Sequence, residues 1–422
     1  MKDASGGGAP ATRLARKLGL GDAIVVGLGS MIGAGVFSAV GPAAHAAGNA
    51  VTVSLLIAAI VAYCNATSSA TLAAIYPESG GAYVYGRRRL GDFWGFLAGW
   101  AFISGKLASC AAMALTFGHY LLPEAARPLA ITAVATLTAV NYFGIRKTLG
   151  ATRIILFAVI ATLATALWAM LAGRTPSAAH LWPLDTPGPH GILRGAGLLF
   201  FAFAGYARIA TLGEEVVDPA RTIPRAIPIA LGITVLIYAA VITGALAAAG
   251  AGVLARSSAP LADAVQLGRF ASLAAVVRVG AAVASLGVLL SLIVGVSRTT
   301  FAMAAARDLP AWLDAVHPKH HVPHRAELAI GAAVIALVAA FDLGGAIGFS
   351  SFAVLLYYAV TNASALTLPR EHRRGSRAIA SLGLAGCVAV ATSLPGAAVA
   401  GGAIVLAAGA AIFALRRLTR PA

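Results

Sequence analysis

Three features of this sequence could do chemistry inside an apolar chain. Gly27, Gly29, Gly33 and Gly35 crowd into nine residues. Lys106 and Arg208 lie inside otherwise apolar stretches, and Ser285 and Ser291 place hydroxyls in another. Glycine costs about 1 kcal/mol against alanine in a helix interior, so the run predicts either close helix packing by small residues or an unwound break. A break exposes backbone N–H and C=O groups, and in hydrocarbon these are tolerated only where a cavity or ligand satisfies them. The free N–H groups at Ile32, Gly33, Ala34 and Gly35 would open a second half-helix whose positive end favours a carboxylate. The segment Leu199 to Tyr206 carries a matching interruption. Carbonyls near Phe201, Ala202 and Ala204 would suit an ammonium group, and the two together describe a site for an α-amino acid. That chemistry is binding, without bond breaking. The central apolar segments show no paired aspartates, Ser/His pair or zinc motif, and no phosphate-binding loop of an ATP-driven pump. An enzyme is therefore not expected, nor is a cofactor or metal.

The elements that hold these groups follow from composition. Of 422 residues, 59% are hydrophobic and only 11% charged, against about 25% charged in soluble domains. The mean hydropathy is +0.86. A soluble globule and a disordered chain are both excluded. At roughly 20 residues per crossing the expected fold is an all-α polytopic membrane protein with about twelve transmembrane helices, at 22–45, 50–74, 93–122, 128–144, 151–172, 192–213, 225–250, 272–304, 326–341, 344–368, 378–394 and 396–415. The turn Ser393-Leu394-Pro395-Gly396 separates the last two. The formal charge of +16 would suggest nucleic acid in a soluble protein. Here the cations fall in short runs between apolar segments, so no nucleic acid partner is expected. The segment before Ala23 has no apolar core and does not read as a cleaved signal peptide.

Most cations sit on one side of this scheme, including Lys2, Arg13, Arg16 and Lys17, Arg87 to Arg89, Arg146, Lys147 and Arg153, Arg221 and Arg225, Arg298 and Arg307, Arg373 and Arg374, and Arg416, Arg417 and Arg420. The asymmetry predicts a plasma (inner) membrane protein with both termini cytoplasmic. The segment from Ser79 to Leu90 reads as an interfacial helix whose three arginines contact anionic lipid. Cys64, Cys110 and Cys387 lie in apolar stretches and imply no disulfide framework. His317, His320, His321 and His324 suggest a metal cluster, but their basic, Pro-bearing surroundings favour a solvated connector. Glu214 and Glu215 read as a loop cap, and Glu78 and Asp92 as positional.

The motifs resemble a known family. Gly29-Ser30-Met31-Ile32-Gly33-Ala34-Gly35-Val36-Phe37 is similar to the first-helix signature of amino acid–polyamine–organocation (APC) superfamily permeases. Tyr76 to Tyr83 resembles their loop after helix two. Phe200 to Gly205, Glu214-Glu215, Asp218-Pro219, Arg221 and Ile223 to Ile227 resemble their sixth helix and the loop after it. Ser297-Arg298, Met303, His317-Pro318 and Pro323 to Ala326 resemble the helix eight to nine region. Within the superfamily the sequence resembles the cationic-amino-acid-transporter-like branch. The resemblance implies a five-plus-five inverted repeat, with repeat one at 22–172, repeat two at 190–368, added helices at 378–415, and tails at 1–21 and 416–422. It also implies backbone binding of substrate at Ile32, Gly33, Ala34, Gly35, Phe201, Ala202 and Ala204, and alternating access.

Three departures shape the coupling expectation. Gly205-Tyr206-Ala207-Arg208 lacks the acid that often follows that glycine in relatives. Val159 stands near the helix-five position where some proton-coupled relatives carry lysine. The usual Arg-Asp-Gly after helix eight is replaced by Arg307-Asp308-Leu309-Pro310. Lys106 therefore gains interest. It lies about 20 Å along its helix, where an isolated lysine costs at least ~2.5–3.5 kcal/mol. One reading is a lysine satisfied by carbonyls; the other is a group that titrates during transport or replaces a bound cation. The expected function is a permease for amino acids, neutral ones in particular, linked to protons through Lys106. Arg208 is expected to pair with loop acids or serve an inner gate, and Ser285 is the best hydroxyl for a sodium site. A sodium-independent exchanger and a non-transporting amino acid sensor are the alternatives.

Overall fold

The computed structural model describes residues 18–33, 35–76, 78, 80–144, 149–173, 177–182, 187–210, 212, 215–369, 371 and 377–419. The polypeptide is all-α: α1 (Leu20–Met31), α2 (Gly35–Ala47), α3 (Val51–Ile75), α4 (Ala82–Leu90), α5 (Asp92–Leu121), α6 (Ala126–Tyr142), α7 (Leu149–Gly173), α8 (Pro189–Phe203), α9 (Ala207–Ala210), α10 (Pro219–Ala249), α11 (Ala251–Arg256), α12 (Pro260–Gln266), α13 (Ala274–Ala305), α14 (His324–Ala340), α15 (Leu343–Leu366), α16 (Arg377–Thr392) and α17 (Gly396–Thr419). Among the described residues, eight helical stretches are long and apolar enough to cross a membrane, and α1 and α16 are shorter apolar helices. At 17 residues each, α6 and α14 reach about 25 Å, at the short end of what a crossing needs. Every apolar segment expected from the sequence carries helix.

The crossings differ in how far they face lipid. The most apolar window of α5 is 78% buried inside the bundle, whereas that of α17 is 17% buried. α5 is the central post, packing on α13, α15, α14 and α6. The two interrupted crossings, α1/α2 and α8/α9, lie together: α2 packs on α8, α1 on α10 and α7, and α8 on α3 and α15. α3 and α10 touch each other, as do α6 and α14, and α7 and α13.

Close approach is bought with small residues. A Cβ on Gly118 would come 2.1 Å from the Ala126 carbonyl oxygen, and one on Gly86 would fall 2.9 Å from Gly95 Cα. The short α4 starts and ends at glycines with positive φ, Gly81 at 57° and Gly91 at 100°, a region that L side chains avoid. These turns lay α4 against α5 and α15. Its arginines have protein partners. Arg88 reaches Glu78 at 2.9 Å, Arg89 bonds Thr367, and Arg87 lies 3.2 Å from both Asp92 and Asp308. Asp308 is buried and also accepts from the Tyr83 hydroxyl at 2.7 Å. Burial and that carboxylate push the Tyr83 phenol up from its ordinary value.

A second polar knot joins α3, α15 and α16. Asn362 accepts from Ser68 at 2.7 Å and donates to Asn65 at 2.6 Å, and the Cys387 thiol donates to Asn65 at 3.3 Å. All four side chains are buried. In a crossing with no water, such a knot fixes helix register because each member would otherwise be an unpaired polar group.

Candidate functional site

The first crossing breaks where its glycines concentrate. α1 ends at Met31, Ile32 and Gly33 form a bend, and α2 starts at Gly35. Ile32 N–H still donates to Leu28 C=O at 2.7 Å and closes the last turn of α1. Ala34, expected in the same site, lies outside the described residues. The sixth crossing narrows more gently: α8 ends at Phe203, Ala204–Tyr206 form a 3₁₀ turn, and α9 follows. Ala204 N–H donates to Phe201 C=O within that turn.

The two interruptions abut. A Cβ on Gly205 would fall 2.2 Å from the Ser30 carbonyl oxygen and 2.7 Å from Met31 N, and one on Gly35 would fall 2.7 Å from Ala202 Cα. Gly33 turns instead to α13, where its Cβ would meet Val288 Cγ2 at 2.1 Å. Backbone therefore meets backbone at the break, as a site built from main-chain groups requires. Ile32, Phe201, Ala202 and Ala204 are all buried there.

One side chain ties the breaks together, and the sequence reading missed it. Tyr238 on α10 is 1% exposed. Its hydroxyl lies 2.5 Å from Met31 C=O and 3.2 Å from Ala202 C=O. It thus faces the carbonyl end of α1 and a carbonyl of the last turn of α8, and its ring packs on Phe203 at 5.2 Å. A buried tyrosine in an apolar crossing needs a hydroxyl partner, and that signal was available at Tyr238. Tyr120 does the same for α2, donating to Phe37 C=O at 3.0 Å.

The expected coupling residues fall in separate places. Lys106 is buried on α5, with Nζ 5.9 Å from the Phe102 ring centre. Among the described residues no carboxylate pairs with it. Rings continue from there to the sixth crossing: Phe102 to Tyr357 at 5.3 Å, Tyr357 to Tyr358 at 5.2 Å, and Tyr358 to Tyr206 at 4.9 Å. Arg208 is exposed on α9, and the charges acting on it belong to Glu215 and Arg298. Glu214 lies outside the described residues. Ser285 is buried, and its hydroxyl donates to Ala281 C=O of its own helix at 2.7 Å. A small void of about 10 Å³ lies between α1, α7 and α13, with Gly29, Ile32, Gly33, Val159 and Val288 on its wall. That is about the room one water needs. His317, His320 and His324 cluster around Tyr142, and His317 Nδ1 accepts from the Lys319 and His320 N–H groups. Among the described residues no group of three side chains is placed to hold a metal.

A family model described as amino acid permease matches residues 18–415. The chain belongs to the amino acid permease family. An uncharacterized transporter of Mycobacterium tuberculosis is 57% identical over 413 residues, covering 96% of this permease and 92% of the relative. The branched-chain amino acid permease BcaP of Bacillus subtilis is 28% identical over 339 residues, 74% of this chain and 72% of that one. Cationic amino acid transporter 4 of Homo sapiens is 30% identical over 384 residues, 85% of this chain and 60% of that one. The permease is thus a multi-pass membrane protein whose relatives are named transporters or permeases.

Two outcomes follow from the geometry of the breaks. Gly33→Val should lose substrate binding while the protein still inserts, because its side chain drives α1 off α13 at a cost of about 1–3 kcal/mol. Val288→Ala in the same chain should restore part of the binding, measured by ligand-induced thermal shift in detergent. Normal affinity in Gly33→Val would refute this. Tyr238→Phe leaves carbonyls at both breaks without their donor, and should lower the stability of the unliganded permease by about 1–3 kcal/mol. A denaturation midpoint equal to wild type would show that these carbonyls need no donor.

Proposed function

We propose that this permease is a secondary transporter that moves neutral amino acids across the plasma membrane by alternating access, with substrate held at the abutting breaks. The observation that carries this reading is the backbone contact of Gly205 with Ser30 and Met31 and of Gly35 with Ala202, with Tyr238 on carbonyls of both crossings. The α2 N-terminus offers N–H groups to a carboxylate, and the carbonyls of Met31 and Ala202 offer acceptors to an ammonium. The proposed contacts are Ile32, Gly33, Ala34, Gly35, Phe201, Ala202 and Ala204.

The pairing of helices supports the five-plus-five repeat. Exchanging each crossing with the one five later turns α1 on α10 into α8 on α3, α1 on α7 into α8 on α15, α5 on α15 into α13 on α7, and α5 on α14 into α13 on α6. All of these contacts occur. Such a repeat places the site at its pseudo-two-fold axis. The cation asymmetry supports cytoplasmic termini. Arg88 is the α4 arginine proposed to face anionic lipid, with a side chain that is 58% exposed.

Lys106 favours uncharged side chains, because a cationic substrate near it would be buried without a counter-charge. The name of the Bacillus subtilis relative agrees with a neutral, branched substrate; the name of the human one points to cations. Lys106 is the proposed proton carrier, since it is buried and no described carboxylate pairs with it. Sodium-independent exchange is the second reading. It is favoured by the small, largely apolar void between α1, α7 and α13, on whose wall Ser285 does not lie.

Uptake of a radiolabelled amino acid panel into proteoliposomes tests the substrate class. Leucine, valine and alanine should compete, and arginine and lysine should not; arginine outcompeting leucine would overturn the neutral assignment. The coupling is tested with Lys106→Ala and Lys106→Met across pH, with and without sodium. Both variants should lose stimulation by a pH gradient and gain no sodium dependence. A wild-type pH profile in both would make Lys106 structural, and a sodium requirement in the wild type would move coupling to Ser285.

A further inference from the structure

Two acids are buried among the described residues, and they are treated differently. Asp308 has the Tyr83 hydroxyl and the Arg87 guanidinium. Glu327, in the first turn of α14 and 3% exposed, keeps Oε2 buried with no hydrogen-bond partner. Opposite it, on α6, Asn141 is equally buried, and both its Nδ2 and Oδ1 are without partners, as is Thr138 Oγ1. With His324 Nδ1 on α14, which also lacks a partner, five orphaned polar atoms lie in one helix pair, far from the usual near-complete pairing of buried polar groups.

Register places them together. A Cβ on Gly331 of α14 would meet Thr138 Oγ1 at 2.7 Å. At the helix ends, the His324 and Tyr142 rings lie 6.2 Å apart. The helices are therefore antiparallel. One turn from the Thr138–Gly331 contact toward those ends, α6 presents Asn141 and α14 presents Glu327. Contacts on either side bracket the pair.

We infer that Glu327 and Asn141 form a buried proton-binding site, in which the protonated carboxyl and the amide close into a cyclic pair. The acid O–H donates to Asn141 Oδ1, and the amide N–H donates to the other carboxyl oxygen. That arrangement satisfies both Asn141 atoms and the carboxyl group at once. The ionised carboxylate satisfies only the amide N–H and leaves Oδ1 facing negative charge, which is costly in a low-dielectric interior. The proton enters and leaves by this end of the bundle, the proposed cytoplasmic face.

The surrounding charges are few. Arg298 on α13 is the charged side chain that acts on Glu327 from a neighbouring helix. His324 lies one turn away on α14 itself. Arg325 follows it on α14; on α6 the charged side chain is Arg127, at the opposite end, with Tyr142 titratable at the near end, and on α5 the titratable groups are Lys106, Cys110, His119, Tyr120 and Asp92, which pairs with Arg87. No fixed ion pair among the described residues locks the Glu327 carboxyl in one protonation state. The site's use in coupling rests on the transport reading above; its existence does not.

Infrared difference spectroscopy of the purified permease, titrated from about pH 5 to about pH 9, tests the site directly, with glutamate isotopically labelled. The five other glutamates are exposed, half-buried or outside the described residues, so a protonated glutamic acid band near neutral pH should report Glu327. The band is expected in wild type, absent in Glu327→Gln, and shifted in Asn141→Leu. A wild-type spectrum without it overturns the proposal, as does a band unmoved by Asn141→Leu, which also decides the matter if Glu327→Gln does not fold. In proteoliposomes, Glu327→Gln should keep amino acid counterflow and lose stimulation by a pH gradient. Retained stimulation would exclude the site from coupling, whereas absent counterflow in wild type would instead refute the transport reading.

Discussion

A backbone carbonyl or amide in hydrocarbon must find a partner inside the protein, and the rest of this structure depends on how that requirement is met at two interrupted helices. Neither break could survive alone. α1 ends on a carbonyl that, among the described residues, Tyr238 reaches from outside its own helix, and α8 narrows to a 3₁₀ turn just after Ala202, whose carbonyl meets the same hydroxyl. The glycines are the other half of the solution. Gly205 admits the Ser30 and Met31 backbone, and Gly35 admits Ala202, so each break is roofed by the other. A tyrosine O–H has one proton for two carbonyls, which leaves acceptor capacity unfilled where an ammonium group would be welcome.

The same constraint sorts the charged residues. Asp308 can be buried because Arg87 and Tyr83 come to it from α4, which two positive-φ glycines fold against α5. That cluster is a staple at the end of the bundle, where water and arginine are available. Lys106 and Glu327 lack such staples. A buried ionisable group without a fixed counter-charge has two accessible protonation states, whereas one locked in an ion pair has a single state over a wide pH range.

Much of the fold was legible because lipid makes the signal strong. Apolar runs of crossing length, the glycines from Gly27 to Gly35 and the depth of Lys106 each pointed to what the structure contains: helices, a break at Ile32 and Gly33, and a buried lysine. The sixth-crossing interruption, expected within Leu199 to Tyr206, is a 3₁₀ turn confined to Ala204–Tyr206, while Leu199 to Phe203 stay helical; Phe-rich sequence does not reveal how far a helix unwinds. Tyr238 escaped because its role depends on α10 passing both breaks, which is a matter of tertiary packing. The Ser285 hydroxyl donates back to Ala281, a choice that spacing cannot reveal. Glu327 sat too near a helix end to attract notice. Its burial comes from α6, and only the facing register shows that Asn141 is opposite.

Transport by alternating access would require the breaks to open on each side in turn, and contacts at one end limit how. Leu18, just before α1, forms a parallel bridge with the segment after α9: its N–H donates to Glu215 C=O at 3.1 Å, and its C=O accepts from Val217 N–H at 2.9 Å. Arg153 at the start of α7 holds Asp22 in the first turn of α1 at 2.5 Å. The two half-helices on that side are therefore linked by main chain, while α1 is joined to α7 by side-chain packing and by a partly exposed ion pair, a salt-screened contact. An opening at this end would have to part either the α1–α7 packing with its ion pair or the main-chain bridge between Leu18 and the segment after α9.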